Sequence, residues 1–199
     1  YRKIGWNIVP LFDFSKNLQS TQVNTGGVWV NGWKELQIRH ATDQEFKRWF
    51  FELKPTGLGV ITGKISGVVV VDEDSYKQGG MEFHLQSPWI SQTGRGGRHH
   101  FFKYNPDDPV KTSGLKQGVF VEIKSDGGFI VLTPSMVKVD DVHVGHYEWL
   151  SAGCPLKDLP MLSNEDLKRY HHGEKVYRDM HDLIGSKLGT QHNDLRTVA

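Results

Sequence analysis

The spacing of apolar and polar positions divides the chain into short strand-like runs and one clearly helical segment. Ile4 to Phe12 reads as a strand closed by Pro10 and Asp13. Residues 15–31 are polar and glycine-bearing and read as a loop or irregular hairpin. Thr42-Asp43-Gln44-Glu45 is a helix start with acids in the first turn, and Phe46, Trp49 and Phe50 follow at helical spacing. That aromatic stripe is expected to be core rather than a base-stacking platform. Residues 58–62 and 67–72 read as the two strands of a hairpin joined at Gly63-Lys64. A short helix is expected within 75–86, then strands at 99–104, 118–124 and 128–133. Asn105 to Lys116, rich in Pro, Asp and Gly, reads as a surface loop. After Trp149 the character changes. Ser151 to Pro160 reads as a linker, and 163–184 opens with Ser163-Asn164-Glu165-Asp166 and reads as a charged helix.

Three of these strands carry chemistry. Val68 to Val71 is a run of four β-branched residues, the mark of a buried strand, and it ends in Asp72-Glu73-Asp74. Crowded carboxylates repel one another, and a divalent cation relieves that repulsion. Residues two apart on a strand share a face, so Asp72 and Asp74 can grip one metal or a metal pair while Glu73 points away. The alternative is a solvated strand-to-turn junction. Ser91 to Lys103 holds Arg95, Arg98, Lys103, His99, His100, Gly94, Gly96 and Gly97, and no acid. Glycine lets backbone amides approach an anion, and Arg gives bidentate contacts to phosphate. Val121 and Ile123 alternate with Glu122 and Lys124, which puts one carboxylate and one cation on a shared face. Asp126-Gly127-Gly128 is hairpin-turn chemistry. Together these segments hold the inventory of a metal-dependent phosphoryl-transfer site.

The ordered set resembles the bifunctional primase/polymerase (Prim-Pol) branch of the archaeo-eukaryotic primase superfamily. Gly59 to Gly67, the valine run and Asp72-Glu73-Asp74 resemble the family's first motif, with its Gly-Lys-x-Ser-Gly lead-in. Gly96-Gly97-Arg98-His99 resembles the second. Val121-Glu122, Lys124, Gly127-Gly128 and Pro134-Ser135 resemble the third. Pro10, Gly32-Trp33-Lys34 and a helix ending Trp49-Phe50 resemble the N-terminal lead-in. The chain departs from the family by having Glu122 where Asp is commoner, and Gly97 where many relatives carry Ser.

The resemblance implies an α/β (α+β) fold: an RRM-like antiparallel or mixed sheet, helices outside it, and an N-terminal α/β unit packed beside it. It implies a primase-polymerase catalytic domain over 1–150, a linker over 151–162 and a helical extension over 163–199. Gly189 to Leu195 would open a further C-terminal region. The implied activity is template-dependent nucleotidyl transfer, as DNA primase and/or DNA polymerase, in replication of a plasmid, phage or mobile element. Asp72, Asp74 and Glu122 would be ligands of two Mg²⁺ or Mn²⁺ ions, and His99 would contact the incoming triphosphate. Lys124, on the face of Glu122, would balance the phosphates. Arg95 and Arg98 are candidates for triphosphate or template backbone, although Arg98 alternates away from His99. Gly96 and Gly97 would bring backbone amides to the nucleotide. For His99 the competing reading is a core histidine satisfied by a carbonyl, and Lys64 is either an exposed turn lysine or a template contact. Expected partners are a single-stranded DNA template or primer-template, dNTP and/or NTP, and a replicative helicase, fused or separate, in a prokaryotic or viral cytoplasm.

Composition narrows the field further. The 199 residues suffice for one full domain with a small appendage. No apolar run could span a bilayer, so no membrane partner is expected. The net charge of +1 leaves any nucleic-acid contact to a local basic groove. One cysteine, Cys154, excludes an internal disulfide and a multi-cysteine site, and no zinc is expected. Two other classes compete. A metal-dependent nuclease or rolling-circle-type initiator needs a His-apolar-His pair and a nucleophilic Tyr. His99-His100-Phe101 has the wrong alternation, while Tyr170 and Tyr177 lie on the expected helix. A non-catalytic nucleic-acid-binding module would have no need of the three acids.

Overall fold

The computed structural model describes residues 1–18, 21–74, 85–113 and 121–168. Most of them are strand, and the described helices are few and short, so the class is mixed α+β with antiparallel pairing. Two compact units divide at Ser163 and Asn164. Of the second, residues 164–168 form a helical turn, and the rest of the predicted helix, Tyr170, Tyr177 and the Gly189 to Leu195 element lie outside the described residues. So does nearly all of the helix expected within 75–86.

The first unit is built on two sheets. Strands β1 (Ile8–Leu11), β4 (Gly57–Ile61) and β9 (Phe129–Leu132) form one, in the order β1-β4-β9. The other runs β10-β11-β6-β7-β5-β8. Its members are β5 (Val68–Glu73), β6 (Trp89–Gln92), β7 (Arg98–Lys103), β8 (Val121–Lys124), β10 (Ser135–Lys138) and β11 (Val144–Ala152). A hairpin of β2 (Gln22–Thr25) and β3 (Val28–Asn31) occupies part of the stretch read as loop or irregular hairpin.

The three-stranded sheet uses both faces, as its nearly continuous apolar strands require. Ile8, Val60, Ile130 and Leu132 pack against Val68, Val70 and Phe101 of the six-stranded sheet, with Trp6 and Leu159. On its other face Val9, Leu11, Ile61 and Val131 pack with Leu36 and Trp49. Of the aromatic stripe expected to be core, Trp49 is fully buried and Phe50 packs partly buried against the core, while Phe46 is half-buried at its edge beside Arg2. It sits where α1 (Asp43–Lys47) runs into a π-helical turn, Arg48–Glu52. Thr42 caps α1 in a reciprocal capping box with Glu45.

Two expected hairpins do not form. β4 and β5 lie in different sheets, and so do β8 and β9. Both turns carry the chain from one sheet to the other, side by side. Thr62 N–H donates to Gly128 O at 3.1 Å, Thr62 Oγ1 to Ser125 O at 2.7 Å, and Lys64 N–H to Asp126 Oδ1 at 2.8 Å. Gly63 is obligatory here. Its φ is +86°, and a Cβ on it would stand 2.2 Å from Asp126 Oδ1. Locally a crossing turn has the same glycine and aspartate signature as a hairpin turn, which is why the pattern misleads.

The stretch 151–162 is not a linker. Leu159 and Leu162 are buried, Ser151 and Ala152 still belong to β11, and Lys103 N–H donates to Pro160 O at 2.8 Å. Its prolines shape a packed return of chain over the edge of the core.

Candidate active site

β5 is central because its valines are apolar on both faces. All four are fully buried, each such side chain contributing roughly 1.5–3 kcal/mol of transfer free energy. Its neighbours are β7 and β8, both antiparallel. At its polar end Asp72 is the register partner of His99 on β7 and of Glu122 on β8. His99 is in turn paired with Ser91 on β6, and Ser91 with Trp149 on β11. Partners in register share a face. Glu122, Asp72, His99 and Ser91 therefore form one rung across four adjacent strands, and Lys124 joins the same face beside Val70.

The rung lies just beyond the apolar layer of Val70 and Phe101. His99 is almost wholly buried, while Asp72, Glu122 and Lys124 are each about three-quarters buried by side chain, at 24%, 23% and 25% exposure. His99 Nε2 stands 3.4 Å from Asp72 Oδ1, and Lys124 Nζ pairs with Glu122 Oε2. Burial alone would push the Asp72 carboxyl up. His99, Lys124 and Lys16 outweigh that and hold it below its ordinary value, so it is an anion at neutral pH.

Asp74, one residue beyond β5, turns toward the glycine-rich loop. Its Oδ1 lies 3.4 Å from where a Cβ on Gly97 would stand, and that Cβ would also meet Glu73 O at 2.6 Å. The Ser found in many relatives has no room here. The loop itself is a tight turn, with Thr93 N–H to Gly97 O at 2.8 Å and Gly96 N–H to Thr93 O at 2.9 Å. Gly96 takes φ +88°. Arg95 Nη2 donates to Val139 O at 2.6 Å, so it ties the loop to the β10–β11 connection. Arg98 is exposed on the opposite face from His99, as its alternation requires.

That opposite face holds its own pair. Glu73 and His100 are both buried, with His100 Nε2 2.9 Å from Glu73 Oε2. Burial pushes the His100 ring below its usual pKa against the pull of Glu73. These two residues serve packing and polar satisfaction rather than the rung.

The structure thus brings Asp72, Glu122, His99 and Lys124 together, sets Asp74 beside Gly97, and places Arg98 away from them. Among the described residues no three His, Cys, Asp or Glu side chains are gathered closely enough to hold a metal ion. The donor chemistry nevertheless fits a hard divalent cation. Asp72 and Glu122 are oxygen donors in register, each already met by a cationic or potentially cationic partner. Ser91, Tyr147 and Lys16 were not evident as site residues. Ser91 is revealed only by register, Tyr147 by its ring 5.7 Å from that of His99, and Lys16 by its Nζ 5.8 Å from the Tyr147 ring.

No helix among the described residues is long and apolar enough to cross a membrane. A search of curated proteins finds no match to the chain. Residues 1–162 match the family model described as bifunctional DNA primase/polymerase, N-terminal, and this span contains the whole rung and the sheets that present it. The chain belongs to the Prim-Pol family of bifunctional DNA primase/polymerases.

Proposed function

We propose that the chain joins nucleotides on a DNA template by a two-ion mechanism, in replication of a plasmid, phage or mobile element. The observation that carries this reading is the rung itself: two carboxylates and a histidine in register on three adjacent strands, with a lysine on the same face. Asp72, Glu122 and Asp74 would hold Mg²⁺ or Mn²⁺. When bound, such ions lower the pKa of a primer hydroxyl and neutralise charge on the triphosphate.

The chain's own residues then have distinct tasks. Asp72 is kept anionic by its neighbours, so it is ready to bind a cation without first losing a proton. Lys124 neutralises Glu122 and lies on the same face, where it would meet phosphate if a divalent cation took that carboxylate. His99, packed against Phe101 and Tyr147, offers Nε2 at the edge of Asp72 with little freedom to turn. The tight turn at 93–97 puts no side chain at Gly96 or Gly97 between an anion and the backbone, while Gly96 N–H itself is held by Thr93 O. Single-stranded DNA or a primer-template, dNTP or NTP, and a replicative helicase are the partners this reading calls for.

The test is incubation of single-stranded template, with and without primer, with labelled dNTPs or NTPs and Mg²⁺ or Mn²⁺. Template-dependent products are expected with either metal and none with chelator. Nicking of the template without synthesis would favour a nuclease or initiator instead.

A further inference from the structure

We propose that Lys16 is a second phosphate-holding cation of this site, carried to its β11 side by a pinned turn and seated against Tyr147. This inference rests on the nucleotidyl-transfer reading above.

The chain leaves β1 through an unusual turn. Asp13 and Phe14 both take φ +55°, the left-handed region that non-glycine residues rarely enter. Strain of this kind costs on the order of 1–3 kcal/mol per residue and persists only where surrounding structure enforces it. Here it is enforced at both peptide groups of Phe14. Its N–H donates to Thr56 Oγ1 at 2.9 Å, and its carbonyl accepts Lys138 N–H at 2.8 Å. Ser15 N–H closes the turn onto Phe12 O at 2.9 Å. Two residues later Lys16 places its Nζ 5.8 Å from the centroid of the Tyr147 ring, which itself lies 5.7 Å from the ring of His99. The strained turn therefore carries a cation to the Tyr147 ring, next to His99.

Lys16 and Lys124 approach Asp72 from different sides. Lys124 arrives on β8, and Lys16 arrives beside β11, at the other end of the rung. Between them stand two polar atoms that the protein leaves unsatisfied. Ser91 Oγ and His99 Nδ1 are buried, and neither has a hydrogen-bond partner among the described residues. Buried polar groups are normally satisfied, and a pair of orphans on adjacent strands in register calls for a ligand or an ordered water. A triphosphate carries several charges, and Lys124 is already shared with Glu122. A lysine on the far side of His99 supplies the compact point charge that an extended phosphate chain requires.

The proposal separates from a purely structural role by its dependence on phosphate number. The experiment measures equilibrium binding of dATP and of dAMP, with Mg²⁺, to the wild type, Lys16→Met and Lys16→Arg. Thermal unfolding checks that each variant is folded, and Lys16→Gln replaces Lys16→Met if the latter is not. Lys16→Met is expected to lose roughly tenfold or more in dATP affinity with dAMP affinity unchanged, and Lys16→Arg to keep most of it. Unchanged dATP binding in Lys16→Met overturns the proposal, as does an equal loss for both nucleotides. If the wild type prefers dATP and Lys16→Met is silent, only the Lys16 assignment falls. If the wild type binds neither nucleotide, the nucleotidyl-transfer reading falls and takes the assignment with it.

Discussion

His99 and His100 are neighbours in sequence with opposite surroundings. His99 faces Asp72 on the rung, and His100 faces Glu73 in the packed interior of the other face. Removing each should therefore fail differently. His99→Ala is expected to weaken nucleotide use about ten- to a hundred-fold while the fold survives, the cost of one charge-assisted phosphate contact. His100→Ala should instead lower stability by roughly 2 kcal/mol, because it deprives a buried carboxylate of a hydrogen bond. Extension kinetics and denaturant unfolding on the two variants check this, and equal kinetic effects would mean that the face assignment is irrelevant to function. Gly97 gives a second test at this scale. Gly97→Ser restores the residue common in relatives, yet its Cβ would meet Glu73 O at 2.6 Å. It is expected to cost about 1–3 kcal/mol by overpacking and to gain no nucleotide affinity. A stable variant with tighter nucleotide binding would contradict that.

At the scale of elements, the turn that starts α1 is locked by a buried carboxylate. Glu45 is fully buried, and accepts Arg39 at 2.8 and 2.9 Å, Asn24 N–H at 2.8 Å and Thr42 N–H at 2.8 Å. Burial would raise its pKa, but the Arg39 guanidinium and those backbone donors hold it down at about 2. A depressed carboxyl stabilises the fold above its unfolded pKa of about 4.5, and that stabilisation is lost as pH falls toward about 2. Glu45→Gln is expected to lose roughly 3 kcal/mol at neutral pH and to lack that part of the acid limb in a pH series of unfolding curves. An unchanged acid limb would assign it to other groups. The same scale shows what a sequence can and cannot reveal. β5, β7 and β8 were legible because long β-branched or alternating runs leave little choice, and the capping box is a local pattern. The crossings at 63–67 and 125–128 were not, since a turn between sheets and a turn within a hairpin use the same residues. β6, β10 and β11 escaped notice because their apolar content is modest and their burial comes from neighbours far along the chain. Within the site, Asp72, His99, Glu122 and Lys124 were readable from alternation plus motif order. Ser91, Tyr147 and Lys16 depend on which strands become neighbours, and Lys16 on a strained turn that polar loop residues do not announce.

At the scale of the whole first unit, the six-stranded sheet presents the rung and the three-stranded sheet supports it from below through Val70 and Phe101. Val9, Leu11 and Leu18 of the N-terminal segment pack on the far side of that support, and the same segment carries Lys16 to the Tyr147 ring beside His99. The central claim is that Asp72, at the junction of β5, β7 and β8, organises nucleotide addition. Its most direct test is incorporation of labelled dNTPs on a primed single-stranded template with Mn²⁺ or Mg²⁺ by the wild type and by Asp72→Asn, with thermal unfolding measured on both. The account predicts template-dependent extension by the wild type and none by a folded Asp72→Asn, and extension at wild-type rates by Asp72→Asn would contradict it.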